Sequence, residues 1–112
     1  MDISIHPRGQ VDVVGIVGSV DGLTAETLLS TLQGHVEKGN TRLVVDLSAV
    51  ESTSSAGLRA LLATVKEARR RGGDMRLADI NPNVRKVLEL SGFATILKIY
   101  GAVDEAVESF AP

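Results

Sequence analysis

LVVDLSAVESTSSAGLRALL, residues 43–62, changes its hydrophobic period halfway along. RLVVDL at 42–47 is a nearly unbroken apolar run, the pattern of a strand covered on both faces. From Leu58 the spacing turns helical. Leu58, Leu61, Leu62 and Val65 fall at i, i+3, i+4 and i+7 and predict an amphipathic helix running to about Arg71. A covered strand that passes straight into an amphipathic helix points to an α/β architecture. The junction between them holds two adjacent serines, Ser54 and Ser55. A serine at a helix N-cap accepts a hydrogen bond from a free amide of the first turn, worth about 1 kcal/mol. One serine suffices for that, and the second hydroxyl is left without an explanation.

Upstream, DISIH at 2–6 carries Ile3 and Ile5 at period two, and VDVVGIVG at 11–18 is β-branched and alternating. The turn signals of PRGQ at 7–10 join them into a predicted hairpin. Residues 24–38 predict a helix with Thr24 as N-cap, Glu26 well placed against the dipole, and a stripe of Leu28, Leu29, Leu32 and Val36. Downstream, GGD ends the second helix and MRLADI at 75–80 reads as a short strand. NPN at 81–83 opens a helix with Val84, Val87 and Leu88 inward, closed by Gly92. ILKI at 96–99 is a last short strand. Asp104 and Glu105 then begin a helix with Val103, Ala106, Val107 and Phe110 on one face. The order β-β-α-β-α-β-α-β-α predicts a small mixed, mostly parallel sheet with about four packed helices and an N-terminal hairpin, in a single domain over 1–112.

Composition narrows the function classes. One Tyr and two Phe offer no aromatic platform for stacking exposed bases, and a formal net charge of −2 disfavours binding polyanions, so no direct nucleic-acid contact is expected. Cysteine is absent, which removes disulfides, thiolate metal sites and a Cys nucleophile. MDISIHPRGQ lacks the basic-then-apolar pattern of a signal peptide, and the apolar runs are too short for a bilayer, so the expected setting is cytoplasmic without membrane insertion.

Several features invite chemistry and are better read as structure. Gly15, Gly18 and Gly22 match neither the dinucleotide fingerprint nor a P-loop, and fit a strand with glycine at a bulge or sheet end. His6 and His35 lie 29 positions apart and belong to no metal-ligand spacing. KEARRRGG at 66–73 reads as a solvated face with cations favourably placed at a helix C-terminus, Glu67 and Asp74 diluting the charge. Around Ser55 the chain reads T-S-S-A-G, without the leading Gly of a nucleophile elbow, and both histidines precede it, so a hydrolase triad is rejected. A phosphoacceptor fits better. A hydroxyl at a helix N-terminus sits among free N–H groups where a phosphate is tolerated. Phosphorylation there adds about −1.5 to −2 charge in one step.

The same stretch resembles the central signature of the STAS domain of bacterial anti-sigma factor antagonists, in which a strand ending Asp-Leu-Ser precedes Asp-Ser-Ser-Gly-Leu and a helix. VGSVDGLTAETL at 17–28 is similar to the family's Gly-Glu-Leu-Asp segment, and residues 69–100 resemble its Gly-Gly, strand, Pro-containing helix and Ser-Gly-Phe/Leu segment. The resemblance implies a protein that is not an enzyme and holds no cofactor. Unphosphorylated, it binds an anti-sigma factor serine kinase with a histidine-kinase-like ATPase fold and so frees a sigma factor; phosphorylation releases it, and a serine phosphatase resets the cycle. ATP and Mg²⁺ belong to the kinase. The acceptor maps to Ser55, with Asp21, Thr53, Ser54, Gly57, Leu58 and Arg59 flanking the partner interface. This chain departs from the family in carrying Ser54 for the Asp, Ala56 for the second Ser and Ser19 for the Glu. Ser54 therefore becomes the alternative acceptor. A second reading from the same resemblance is a phosphorylation-independent scaffold or a subunit docking an ABC ATPase in lipid transport, and a third reading, from the Ser-rich helix N-terminus, is a small-molecule or nucleotide-binding module.

Overall fold

The computed structural model describes residues 1–112. β1 (Asp2–Arg8) and β2 (Val11–Val17) form the expected hairpin, with Asp2 opposite Val17 and Arg8 opposite Val11. The turn is tighter than PRGQ suggests. Pro7 and Arg8 stay in the strand and only Gly9 and Gln10 turn, Gly9 supplying the positive φ of +64°. Pro7 is tolerated because β1 is an edge strand, paired on one side alone.

α1 (Gly22–Glu37), β3 (Arg42–Ala49), α2 (Ser55–Arg70), β4 (Asp74–Ala78), α3 (Pro82–Ser91), a 3₁₀ turn at Phe93–Thr95, β5 (Ile99–Tyr100) and α4 (Val103–Glu108) follow in that order. The sheet runs β1-β2-β3-β4-β5, and every pair after the hairpin is parallel. The expected mixed, mostly parallel sheet with four helices is thus what forms.

β3 lies at the centre, and its apolar run is covered twice. Leu43, Val45 and Leu47 face α1, α2 and α3 in the main core, beside Val14, Ile16, Met75 and Leu77 of neighbouring strands. Val44 faces the other way and packs with Val11, Ala78 and Ala106 beneath α4. Alternate side chains of one strand serve two cores, which is why the run shows no polar alternation.

Four expectations shift. α1 begins earlier, capped by Asp21; Thr24 is its N3 residue and completes a capping box by accepting from the Asp21 amide at 2.9 Å. β4 ends at Ala78, because Asp79 adopts a left-handed φ of 58°. Val87 is exposed, since only Val84 and Leu88, one turn apart, reach the core from α3. The last strand is Ile99–Tyr100 instead of 96–99: Ile96 and Leu97 donate back to the Phe93 carbonyl, each at 3.0 Å, and leave the sheet.

The three arginines of the basic stretch at 66–73 are all paired within the protein. Arg70 and Arg71 pair with Glu67, and Arg69 pairs with Asp74. Glu67 is held down to about 2, first by the hydrogen bond from Arg70 and then by that from Arg71. His35 Nε2 donates to Asp12 Oδ2 at 3.0 Å and joins α1 to β2. No helix is long and apolar enough to cross a membrane.

Candidate functional site

Because α1, α2 and α3 each follow a parallel strand, their N-termini gather at the C-terminal edge of the sheet, the place where open α/β folds position ligands. The loops there are tied together. Val20 and Thr53 form an isolated parallel bridge: the Val20 amide donates to Ser52 O at 3.1 Å and the Ser54 amide donates to Val20 O at 2.8 Å. The hydroxyls of Ser52 and Ser19 meet at 3.2 Å. Asn81 caps α3 by accepting from the Val84 amide at 2.8 Å, while its Nδ2 donates to the carbonyls of Val50 at 2.7 Å and Glu51 at 3.2 Å.

The two serines divide the work within this frame. Ser54 is the N-cap of α2, its Oγ accepting from the Gly57 amide at 3.1 Å, and it is half-buried. Ser55 is the first helical residue and is exposed; its hydroxyl makes no hydrogen bond within the protein. Asp21 and Ser55 each lie one residue beyond the Val20–Ser54 hydrogen bond, on adjoining loops. Asp21 is exposed. Its Oδ1 accepts from the amides of Leu23 and Thr24, both at 2.9 Å, and from Thr24 Oγ1 at 3.1 Å. The Thr24 amide leads in holding this carboxyl below the usual carboxylate range, so it stays anionic at the α1 N-terminus.

Gly57 and Leu58, expected at the flank of the partner interface, are buried. Leu58 is 2% exposed and belongs to the core. A Cβ on Gly57 would run into Thr53 Oγ1 and come within 2.8 Å of Val20 Cγ1, so the residue is a glycine because the β3–α2 loop presses on α2 there. The exposed set narrows to Asp21, Ser55 and Arg59, with Thr53 and Ser54 half-buried.

Sequence reasoning missed a groove. Ala25, Glu26 and Leu29 of α1 face Ala56, Arg59, Ala60 and Ala63 of α2 across an open cleft of about 340 Å³ that reaches Ala56, the residue after Ser55. Small residues keep it open, and Glu26 and Arg59 stand on opposite walls without an ion pair. The one trace in the sequence is alanine at 56, 60 and 63, a helical i, i+4, i+7 stripe. The void under the site is only about 10 Å³ and lined almost wholly by apolar side chains, too small for a ligand. No three His, Asp or Glu side chains come together as a metal site. Gly15 packs in β2, where an added Cβ would lie 2.9 Å from Ser4 Oγ, and Gly18 turns the chain at φ +103°, so the glycines serve the strand and its end.

The same edge thus presents the unpartnered hydroxyl of Ser55, the capping carboxylate of Asp21 and the groove between α1 and α2.

The chain is similar in sequence and fold to known proteins. BtrV of Bordetella bronchiseptica is 38% identical over 93 residues, covering 83% of this chain and 80% of its own. The anti-sigma F factor antagonist of Paenibacillus polymyxa is 29% identical, covering 85% of this chain and 81% of its own. The crystal structure of an anti-sigma factor antagonist from Mycobacterium paratuberculosis superposes with a TM-score of 0.90 at 28% identity, over 99% of this chain and 94% of that one. The family model for the STAS domain matches residues 2–106. With that span and the shared architecture, the chain belongs to the STAS domain family.

Proposed function

We propose that this protein is an anti-sigma factor antagonist switched by phosphorylation of Ser55. In its unmodified form it binds an anti-sigma factor serine kinase through the C-terminal edge of the sheet. The kinase transfers the γ-phosphoryl group of ATP to Ser55 Oγ: the new O–P bond forms, the bond to ADP breaks, and the hydroxyl proton passes to the kinase. A serine phosphatase hydrolyses the ester and restores binding. The names of the Paenibacillus and Mycobacterium relatives support the antagonist role.

The observation that carries the reading is the division between the serines. Ser54 is occupied as the cap, which leaves Ser55 as the exposed hydroxyl with no partner. A phosphate at that position gains the free amides and the positive end of the α2 dipole, so the modified protein keeps its fold. Under a bound partner the same dianion must be desolvated, at a penalty of several kcal/mol. About 3 kcal/mol already weakens a complex by roughly 10².

Incubation with the cognate kinase and ATP, followed by peptide mass spectrometry, is expected to place the phosphate on Ser55. Ser55→Asp weakens the kinase complex and Ser55→Ala preserves it. Phosphate on another residue, or Ser55→Ala leaving the modification unchanged, overturns the assignment. A complex that forms equally well with Ser55, Asp and Ala at this position favours the phosphorylation-independent scaffold.

A further inference from the structure

The arginines of this chain are unevenly employed. Of the eight, Arg8, Arg42, Arg69, Arg70, Arg71 and Arg76 each donate to an acceptor inside the protein. Arg59 and Arg85 donate to none, and both are exposed. Arg85 lies on α3, four residues past its cap Asn81. Arg59 lies on α2, four residues past Ser55, in a helix where side chains one turn apart share a face with Cβ atoms about 5–6 Å apart. Helical side chains lean toward the N-terminus, so the Arg59 arm inclines toward Ser55. Arg59 and Glu26 are also the two charged residues lining the α1–α2 groove, where they stand unpaired.

We infer that Arg59 is the internal counter-ion of a phosphate on Ser55, a positioning residue for the switch; this rests on the reading of Ser55 as the acceptor. The planar guanidinium presents two parallel N–H donors that match two phosphate oxygens, and no internal carboxylate has to be displaced first. The pairing has a second effect. Drawing Arg59 onto the phosphate takes the groove's cation away and leaves Glu26 as its charge. Phosphorylation then alters two features of the surface together: a dianion appears at the start of α2, and the groove beside it turns from balanced to acidic. A partner carboxylate that pairs with Arg59 in the complex loses its counter-ion at the same moment.

The test uses the full chain with phosphoserine installed at position 55 during translation, so that no kinase is involved. The second ionisation of the phosphate is followed by ³¹P NMR titration. Nearby positive charge favours the dianion and lowers this ionisation. Arg59→Gln is expected to raise the midpoint by about half a pH unit, Arg59→Lys to fall between, and Arg85→Gln to leave it unchanged. An unchanged midpoint in Arg59→Gln, or an equal rise in Arg85→Gln, overturns the inference. A kinase that modifies a residue other than Ser55 removes the acceptor reading and leaves this titration as it was, so the two fail separately.

Discussion

Ser54 and Ser55 are chemically identical and structurally unlike. The difference comes from where helical geometry begins. Ser54 is extended, at φ −83° and ψ 169°, which aims its Oγ at the Gly57 amide; Ser55 is already helical and its hydroxyl points to no backbone group. Stability and modification are therefore expected to separate at adjacent positions. Ser54→Ala loses the cap and lowers unfolding free energy by about 1 kcal/mol, whereas Ser55→Ala changes it by less than about 0.5 kcal/mol. Urea unfolding of the two variants measures this, and equal losses would contradict the division. The capping requirement also allows a serine where the family signature has aspartate. Either side chain accepts the Gly57 amide, so the helix start survives the exchange while the negative charge beside Ser55 is lost.

α2 is anchored differently at its two ends. Its start depends on a neutral cap and its end on a clamp in which one carboxylate, Glu67, accepts from both Arg70 and Arg71. The folded-state value of Glu67, about 2, lies below the ordinary 4.5. A depressed carboxylate stabilises the fold fully above its unfolded value and ceases to do so as pH falls through the folded one. Thermal unfolding of the parent and Glu67→Gln should then differ by a constant amount above about pH 5, converge between pH 4.5 and 2, and coincide below that. A gap that is undiminished at pH 2 would assign the effect to packing. The helix itself was legible because Leu58, Leu61 and Val65 repeat at the helical period along a buried face. β5 was misplaced for the converse reason: Ile96 and Leu97 look like strand, but a strand exists only where a neighbour offers register, and β4 offers it to Ile99 and Tyr100 alone. Thr24 reads as a cap in the sequence because Asp21 and Thr24 are both capping types, and the box employs both. The groove lay outside what one chain's pattern can reveal, since it needs α1 set beside α2.

The molecule has two poles, and each gathers a different kind of chemistry. The edge that bears Ser55 is built from caps and loop hydrogen bonds, with the carboxylate of Asp21 engaged in capping α1. The opposite end is built around Asp74, a carboxylate only 6% exposed that binds several elements at once. Its Oδ1 accepts from Arg69 at 2.8 Å and from the Met75 amide at 2.9 Å, and its Oδ2 accepts from Arg76 at 3.0 Å. Arg69 continues to the Ile96 carbonyl at 2.9 Å. Arg76 continues to Ser109 at 2.7 Å and lies 3.9 Å over the Phe110 ring. The end of α2, β4, the segment after α3 and the end of α4 thus share one carboxylate. Removing it leaves the largely buried Arg76 cation uncompensated, so Asp74→Ala is expected to lower stability by about 3 kcal/mol. Arg76 and Asp74 are in contact, so Asp74→Ala combined with Arg76→Ala should cost clearly less than the two single losses added together. Neither residue approaches the Ser55 edge, and α2 keeps its cap in both variants. At a temperature where Asp74→Ala remains folded, it should accept phosphate at Ser55 to the same stoichiometry and bind the kinase with the same affinity as the parent. Urea unfolding and a binding titration on one preparation decide the point: an unchanged unfolding midpoint refutes the anchoring role, and weakened binding by a fully folded variant refutes the independence of the two poles.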